Sequence, residues 1–470
     1  MAKPKPEPKS VYFIGIKGVA MSGLAVMAKE LGYEVRGSDV AEEFITDHLL
    51  KEHNLKYFNG FDAAHLNKAN KPDLVVVGAS FGPTNIEFKA AKSLRLPIIS
   101  SSEMLGRLMN NFEGVGVAGT HGKTTTCSML AFILVSAGFS PSYSIGTSDI
   151  PGLSGNGHIG DGKYFVAEAD EYKKSDTDLE AKFLDLPLKH LIVTSIEYDH
   201  PDVYQTVEQI YNVFYRLSLK LPRDGVMVAC SDWPLVRRLA ARRVDREVLT
   251  FGFEPGAKYQ ITDLKETPVQ LTFKIKAADR TIGPVELTLP GRHNVLNATA
   301  AVLMALQLGV TEAAIVKALR HFAAPKRRFE LLGQFNGAEI FDDYAHHPTA
   351  LRFLFDAARR RFPTKRIVAV FQPHTYSRTG KMLKEFASAL READKLILLN
   401  IWASAREKSG YVTIKDLIDA TKLLKPDVEY RSSLDEAALY LKSFVTSKDV
   451  VLLIGAGDVY KIYDKLGRTE

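Results

Sequence analysis

The sequence predicts an α/β protein of three successive domains. Three observations carry that reading. Its 470 residues, at roughly 150 per domain, correspond to about three domains, because a single core stops growing near ~250–300 residues. Short apolar runs that enter glycine-bearing turns and then helices recur along the chain, which is the βαβ rhythm of a parallel sheet. Between 259 and 290 the pattern changes to period-two alternation, as in Val269–Ile275, which predicts an antiparallel meander. The expected divisions are a disordered lead-in over 1–10, then domains over 11–110, 111–324 and 325–470.

The first block opens with a strand, Val11–Ile14, and a turn containing Gly15, Gly18 and Gly23. A helix over Leu24–Leu31 follows and stops at Gly32; strands Tyr33–Arg36 and Leu74–Val77 continue the sheet, the former running into Asp39. The second block has a strand at Val115–Val117, a loop over Gly119–Thr125 and a helix over Thr126–Ala137. Strands Tyr164–Ala167 and Leu191–Thr194, the meander and a helix over Asn294–Leu308 complete it. The third block has strands Glu339–Phe341, Arg366–Phe371, Lys395–Leu399 and Val450–Ile454, the last entering the turn Gly455-Ala-Gly457-Asp458.

Composition narrows the function classes. Hydrophobic residues at 46% and charged residues at 25% exclude a largely disordered chain or a coiled coil. The longest apolar stretches, such as Met129–Val135, fall far short of the ~20 residues that span a bilayer. Two cysteines cannot build a disulfide scaffold, so a reducing compartment fits. The lead-in is rich in proline and lysine and lacks the apolar core of a signal peptide, so a cytoplasmic location is expected. The net charge, 61 − 55 = +6, is spread along the chain and reads as a mixed solvated surface. Neither a nucleic-acid nor a membrane partner is expected.

Gly119-Thr120-His121-Gly122-Lys123-Thr124-Thr125 is the strongest local signal. Glycines let the backbone N–H groups of such a loop point at phosphate oxygens. Lys123 places a cation for the β- and γ-phosphates, and the Thr124 hydroxyl suits Mg²⁺. The spacing is the shorter G-x-x-G-K-T, since Val117 stands where the eight-residue pattern needs glycine. The alternative is a plain glycine turn with a surface lysine.

Carboxylates for a metal–nucleotide site are expected at strand carboxyl ends. Glu168, Asp170 and Glu171 follow one strand, and Ile196-Glu-Tyr-Asp-His200 follows another. Glu168 is the expected metal ligand; Asp170 and Glu171 could equally be helix-start or surface acids. His200 is a candidate ligand or hydrogen-bonding group. Asn294 offers both donor and acceptor, as an adenine edge requires, but could equally cap a helix. Arg327 and Arg328 suit phosphate clamping at a domain junction. Adjacent His346 and His347 lack good metal spacing on extended chain. His374 and Arg378 follow a third-block strand.

With these segments together, the chain resembles the Mur ligases, the ATP-dependent amide-bond ligases of peptidoglycan precursor synthesis. The resemblance runs from the glycine turn to Gly455–Asp458. It rests on the loop Gly119–Thr126, on Glu168–Glu171, Ile196–His200, Arg327–Phe329, Asp342–Pro348 and Phe371–Thr379. It implies Rossmann-like first and last domains around a P-loop ATPase-like central domain. Gly15, Gly18, Gly23 and Asp39 would serve the UDP sugar. The loop residues 119–125 would hold ATP, with Asn294 on adenine and Arg327, Asp343 and His347 brought in by the last domain. Lys123, Glu168 and His200 would be catalytic, and Thr124, Glu168 and His200 would hold Mg²⁺. His374 and Arg378 would bind the amino acid.

The segments fit best the branch that joins UDP-N-acetylmuramate to L-alanine, with a sister branch that joins a recycled tripeptide to the same sugar nucleotide as the alternative. Two features depart from the family pattern. Lys17 and Ala20 replace two glycines of the first turn; a lysine there could still contact phosphate, and the path of the turn is left open. Tyr215 stands where several other branches carry a carbamylated lysine, which agrees with the alanine-adding branch. A monomer or weak dimer is expected. A dehydrogenase fails on the missing G-x-G-x-x-G and leaves the phosphate loop unexplained; a non-catalytic nucleotide switch would bind nucleotide without acceptor-dependent ADP release.

Overall fold

Ser10–Ile14 is an apolar strand flanked on both sides by parallel partners, so its side chains are buried on both faces. In the computed structural model, which describes residues 9–69, 71–403, 407 and 410–467, it is the centre of a five-stranded parallel sheet. The order across that sheet is Lys56–Asn59, Glu34–Asp39, Ser10–Ile14, Leu74–Val77, Ile98–Ser100. Most of the expected lead-in, residues 1–8, lies outside the described residues.

The central sheet has ten strands. Six lie parallel in the order Glu247–Gly252, Val226–Cys230, Leu188–Val193, Glu113–Ala118, Tyr164–Ala169, Ser142–Ser144. The meander Tyr259–Glu266, Leu271–Lys276, Thr281–Leu287 extends one edge, as its alternating pattern predicts. The other edge carries a short strand, Gly157–His158, antiparallel to Ser142–Ser144. Glu113–Ala118 has Leu188–Val193 on one side and Tyr164–Ala169 on the other, and Ala118 is in register with both Val193 and Ala169. Three carboxyl ends therefore open level with one another. The following helix, Lys123–Ser136, begins three residues before the sequence reading and is buried on nearly all sides.

The third sheet has six strands in the order Glu330–Phe335, Ala338–Asp343, Asp449–Ile454, Arg366–Phe371, Lys395–Leu398, Val428–Tyr430. Only the first pair is antiparallel. That hairpin was not anticipated beyond its second strand, because Glu330–Phe335 is largely polar or half-exposed and shows little apolar pattern.

The two domain seams differ in chemistry. One apolar cluster runs without a break from Val11, Phe13 and Leu24 through Met104, Leu108 and Met109 to Phe183, Phe214 and Leu217, so the first two domains share a core. Backbones approach closely along this seam. A Cβ on Gly157 would stand 2.6–2.8 Å from the Gly23 backbone, and one on Gly106 would stand 2.6 Å from the Asp185 carbonyl oxygen. The third domain has its own clusters, one around Phe341, Leu351 and Phe371 and one around Ile340, Val368 and Leu441. It meets the central domain through the polar contacts described below and through Phe353, whose ring packs on Trp233 and His293.

Overpacking a tight seam costs about 1–3 kcal/mol. Gly157→Ala is therefore expected to lower stability by that amount in denaturant unfolding, whereas Gly23→Ala, facing only the Asn156 side chain at 3.1 Å, loses less. Equal stability of Gly157→Ala and the natural protein would contradict this reading of the seam.

Candidate active site

A cavity of about 480 Å³ opens where the three level strand ends face the third domain. The loop after Glu113–Ala118 forms its floor, and two glycines impose the loop's path. Gly119 has φ +145°, and a Cβ there would stand 2.0 Å from Thr194 Oγ1. Gly122 has φ +81°, and a Cβ there would stand 2.3 Å from Asn297 Oδ1. No other residue fits either position. Thr120 N–H donates to the Ser195 carbonyl at 3.1 Å and His121 N–H to Ser195 Oγ at 2.8 Å, which pins the loop to the neighbouring strand end.

Lys123 projects from the helix start into a set of carboxylates. Its ammonium donates to both Glu171 oxygens at 2.9 and 3.0 Å and to the Gly119 carbonyl at 2.5 Å. Burial would depress its pKa, but Glu171, Asp170 and Glu168 outweigh burial and hold it above the ordinary lysine value. Glu171 is itself held below the usual carboxylate range, because Lys123 and His200 overcome its burial. Thr124 Oγ1 donates to Glu168 Oε1 at 3.1 Å, and Glu168 Oε2 accepts from Gly146 N–H at 2.8 Å. Glu168 lies within its strand, beside Val117.

His200 has φ +53°, and its Nε2 lies 3.6 Å from Glu171 and 3.7 Å from Asp199. Burial lowers its pKa, yet the two carboxylates more than reverse this and favour the imidazolium. Asp170, Glu171 and His200 group their ligand atoms within 4.8 Å.

Several third-domain side chains line this cavity, and four make polar contacts with the central domain around it. Arg378 donates from Nε at 2.9 Å to Asp199, and both members of that ion pair are almost fully buried. Arg378 and His200 overcome burial and hold Asp199 well below the usual carboxylate range. Arg328 donates to Thr124 Oγ1 at 3.1 Å. Thr349 donates to Glu197 Oε1 at 2.8 Å, and His347 Nε2 lies 3.1 Å from the Tyr198 carbonyl. Burial and the neighbouring His121 push the His347 pKa down to about 4.

Other expected site residues stand as follows. Asn294 lines the cavity, where its amide donates to the Pro290 carbonyl and its Oδ1 accepts from Asn297; the helix cap is Gly291. Asp343 lines it as well and accepts from the Phe329 and Ala345 N–H groups. Arg327 is anchored inside the third domain by Asp342 and the Gly455 carbonyl, so Arg328 is the arginine that meets the loop. His374 lies 3.1 Å from Arg378, and neither residue lines the cavity.

In the first domain, Gly15 has φ +86° under the Phe81 ring, and Gly18 precedes the helix whose first residues, Val19 and Ala20, line the cavity. Gly23 is used in packing against Gly157. The Lys17 ammonium turns inward to the Val40 and Glu42 carbonyls, while its N–H donates to Asp39. Asp39 thereby shapes the glycine turn, with its remaining oxygen on Val40 N–H. Tyr215 packs under Arg242, away from the cavity lining.

Family models match the chain in order: the Mur ligase family, catalytic domain, over residues 10–113; the Mur ligase middle domain over 117–305; and the Mur ligase, glutamate ligase domain, over 327–457. The UDP-N-acetylmuramate–L-alanine ligase of Desulfitobacterium hafniense is 38% identical over 461 residues, 98% of this chain and 99% of that one. The chain belongs to the Mur ligase family. Among solved structures, this Mur ligase is similar to the UDP-N-acetylmuramate–alanine ligase of Thermotoga maritima, with TM-score 0.81 and 26% identity over 97% of this chain and 98% of that one. It is also similar to a murein peptide ligase of Psychrobacter arcticus, with TM-score 0.75 and 25% identity over 98% and 99% of the two chains.

Breaking a buried ion pair by removing one partner costs about 3–5 kcal/mol. Arg378→Gln is expected to lose that much stability at pH 7. Because the folded Asp199 pKa is depressed, the contribution is present above the unfolded carboxylate value near ~4 and fades as pH falls through the folded one. The difference between Arg378→Gln and the natural protein should therefore narrow in unfolding curves taken below about pH 4. A difference that stays constant from pH 7 to pH 3 would contradict the pairing.

Proposed function

We propose that this Mur ligase joins the lactyl carboxylate of UDP-N-acetylmuramate to L-alanine, using ATP and releasing ADP and phosphate. The observation that carries this reading is the glycine loop at Gly119–Gly122, which delivers Lys123 and Thr124 to a ring of carboxylates at a cleft between domains. The full-length likeness to alanine-adding relatives supplies the acceptor and the amino acid.

The triphosphate lies along the loop N–H groups, at the N-terminus of Lys123–Ser136. Lys123 exchanges Glu171 for the β- and γ-phosphates. The oxygen donors of Thr124 and Glu168, 3.1 Å apart, suit a hard cation such as Mg²⁺, which would neutralise phosphate charge there. His200 suits it less well, since its ring faces Glu171 and Asp199; it orients those carboxylates. Asn294, Asp343 and His347, which line the cavity, would hold the adenosine part. Arg328 approaches the phosphates from the third domain. The turn at Gly15 and Gly18, shaped by Asp39, receives the UDP sugar, and His374 and Arg378 flank the amino acid.

In the reaction the lactyl carboxylate oxygen attacks the γ-phosphorus, the bond to the ADP oxygen breaks, and an acyl phosphate forms. The alanine nitrogen attacks the acyl carbon, the bond to the phosphate oxygen breaks, and the departing phosphate takes the proton that the nitrogen loses. Positioning and charge neutralisation by Lys123, Arg328 and the loop N–H groups lower the first barrier. The polar seam to the third domain opens and closes, and closure excludes the water that would hydrolyse the acyl phosphate. The shared core makes the first and central domains move as one body. The protein works in the cytoplasm as a monomer or weak dimer.

A second reading, peptide addition to the same sugar nucleotide, has support in the likeness to the murein peptide ligase. Purified protein given ATP, UDP-N-acetylmuramate and either L-alanine or the tripeptide separates the two: ADP release with L-alanine is expected, and release with the tripeptide alone would overturn the assignment. Lys123→Ala is expected to lower kcat/KM by about 100-fold or more. Near-normal turnover would remove Lys123 from the phosphate site.

A further inference from the structure

Glu197 has no role in the reaction above, yet it touches both the phosphate loop and the third domain. Its Oε2 lies 2.8 Å from His121 Nε2, in the loop, and 4.0 Å from His347 Nδ1, in the third domain. The two imidazole rings are 4.7 Å apart, and the three ligand atoms lie within 4.8 Å of one another. Tetrahedral Zn²⁺, with bonds near ~2.0–2.1 Å, places its ligand atoms about 3.3 Å apart. Side-chain shifts of about 1 Å or less would seat an ion among them.

The surroundings match what ligating side chains need. A metal-bound histidine donates its other N–H to a carbonyl or carboxylate, and a ligating carboxylate is hydrogen-bonded on its free oxygen. His347 Nε2 sits 3.1 Å from the Tyr198 carbonyl, which places the proton there and the lone pair on Nδ1. Thr349 N–H, at 3.2 Å, presently donates to that lone pair. Glu197 Oε1 accepts from Thr349 Oγ1 at 2.8 Å, leaving Oε2 for the ion. Two imidazoles and one carboxylate suit a borderline transition metal and disfavour Mg²⁺, which takes oxygen ligands. His121 and His347 line the cavity, so a fourth position opens on it.

We propose that His121, Glu197 and His347 form a Zn²⁺-type transition-metal site, distinct from the oxygen donors Thr124 and Glu168, that ties the third domain to the phosphate loop. An ion there resists opening of the polar seam and slows turnover. The proposal stands on these three residues and does not depend on which amine the ligase accepts.

The test titrates Co²⁺ into the full-length protein with excess Mg²⁺ and no nucleotide. One equivalent should give the visible absorption band of tetrahedral Co²⁺, and Zn²⁺ should displace it. His121→Ala and Glu197→Gln, each checked for a natural far-UV circular dichroism spectrum without metal, should lose the band or bind at least about ten-fold more weakly. Glu168→Gln should retain it. Loss in either folded variant with retention in Glu168→Gln supports the site. No band in the natural protein, survival in both variants, or loss in Glu168→Gln would overturn it.

Discussion

Three neighbouring parallel strands ending level with one another is the constraint on which this structure depends. Ala118 pairs with both Val193 and Ala169, so the segments that follow all three strands emerge side by side. The chain reverses sheet direction about the middle strand, where open α/β sheets bind ligands. The loop can lie flat on this edge only because Gly119 and Gly122 have no side chain to strike Thr194 and Asn297. The ammonium of Lys123 and the carboxylates of Glu168 and Glu171 are then brought together by backbone geometry alone. The cost of burying so many charges is offset pairwise: Lys123 with Glu171, Arg378 with Asp199, and His200 between the two acids.

The same edge explains why the two seams differ. The first domain is joined to the central one through apolar side chains and near-contact glycines, a surface that is costly to separate in water. The third domain is joined by hydrogen bonds that water or substrates can replace, Arg328 on Thr124, Thr349 on Glu197 and His347 on Tyr198, together with the buried Arg378–Asp199 pair and Phe353 packed on Trp233 and His293. A ligase that must admit three substrates and exclude water during reaction has use for one rigid seam and one exchangeable seam.

The meander, the phosphate loop and about half of the strands were legible in the sequence, because each leaves a local mark: apolar runs, period-two alternation, or glycines at fixed spacing beside lysine and threonine; strands such as Val226–Cys230, Glu247–Gly252 and Glu330–Phe335 were not read. Glu168 was legible because it lies near the carboxyl end of its strand. What was not legible depends on contacts far apart in the chain. Glu171 looked like a helix-start acid, yet it is the buried partner of Lys123, 48 residues away. Asp199 and Glu197 lay within a recognised segment but acquire their roles only when Arg378, Thr349 and His347 arrive from the third domain. Lys17 illustrates the opposite case. A cation in a glycine turn suggests phosphate, but the neighbouring carbonyls of Val40 and Glu42 capture it first. Spacing shows which residues sit at the edge; only packing shows which of two adjacent arginines, Arg327 or Arg328, faces the loop.

The central claim is that this cleft brings the acceptor carboxylate onto the γ-phosphorus of ATP and shields the product from water. The most direct measurement follows oxygen: UDP-N-acetylmuramate labelled with ¹⁸O in its lactyl carboxylate is turned over with ATP and L-alanine, and the released phosphate is analysed by mass spectrometry. The account predicts phosphate carrying one label from the carboxylate. Unlabelled phosphate, with both labelled oxygens accounted for elsewhere, would contradict it.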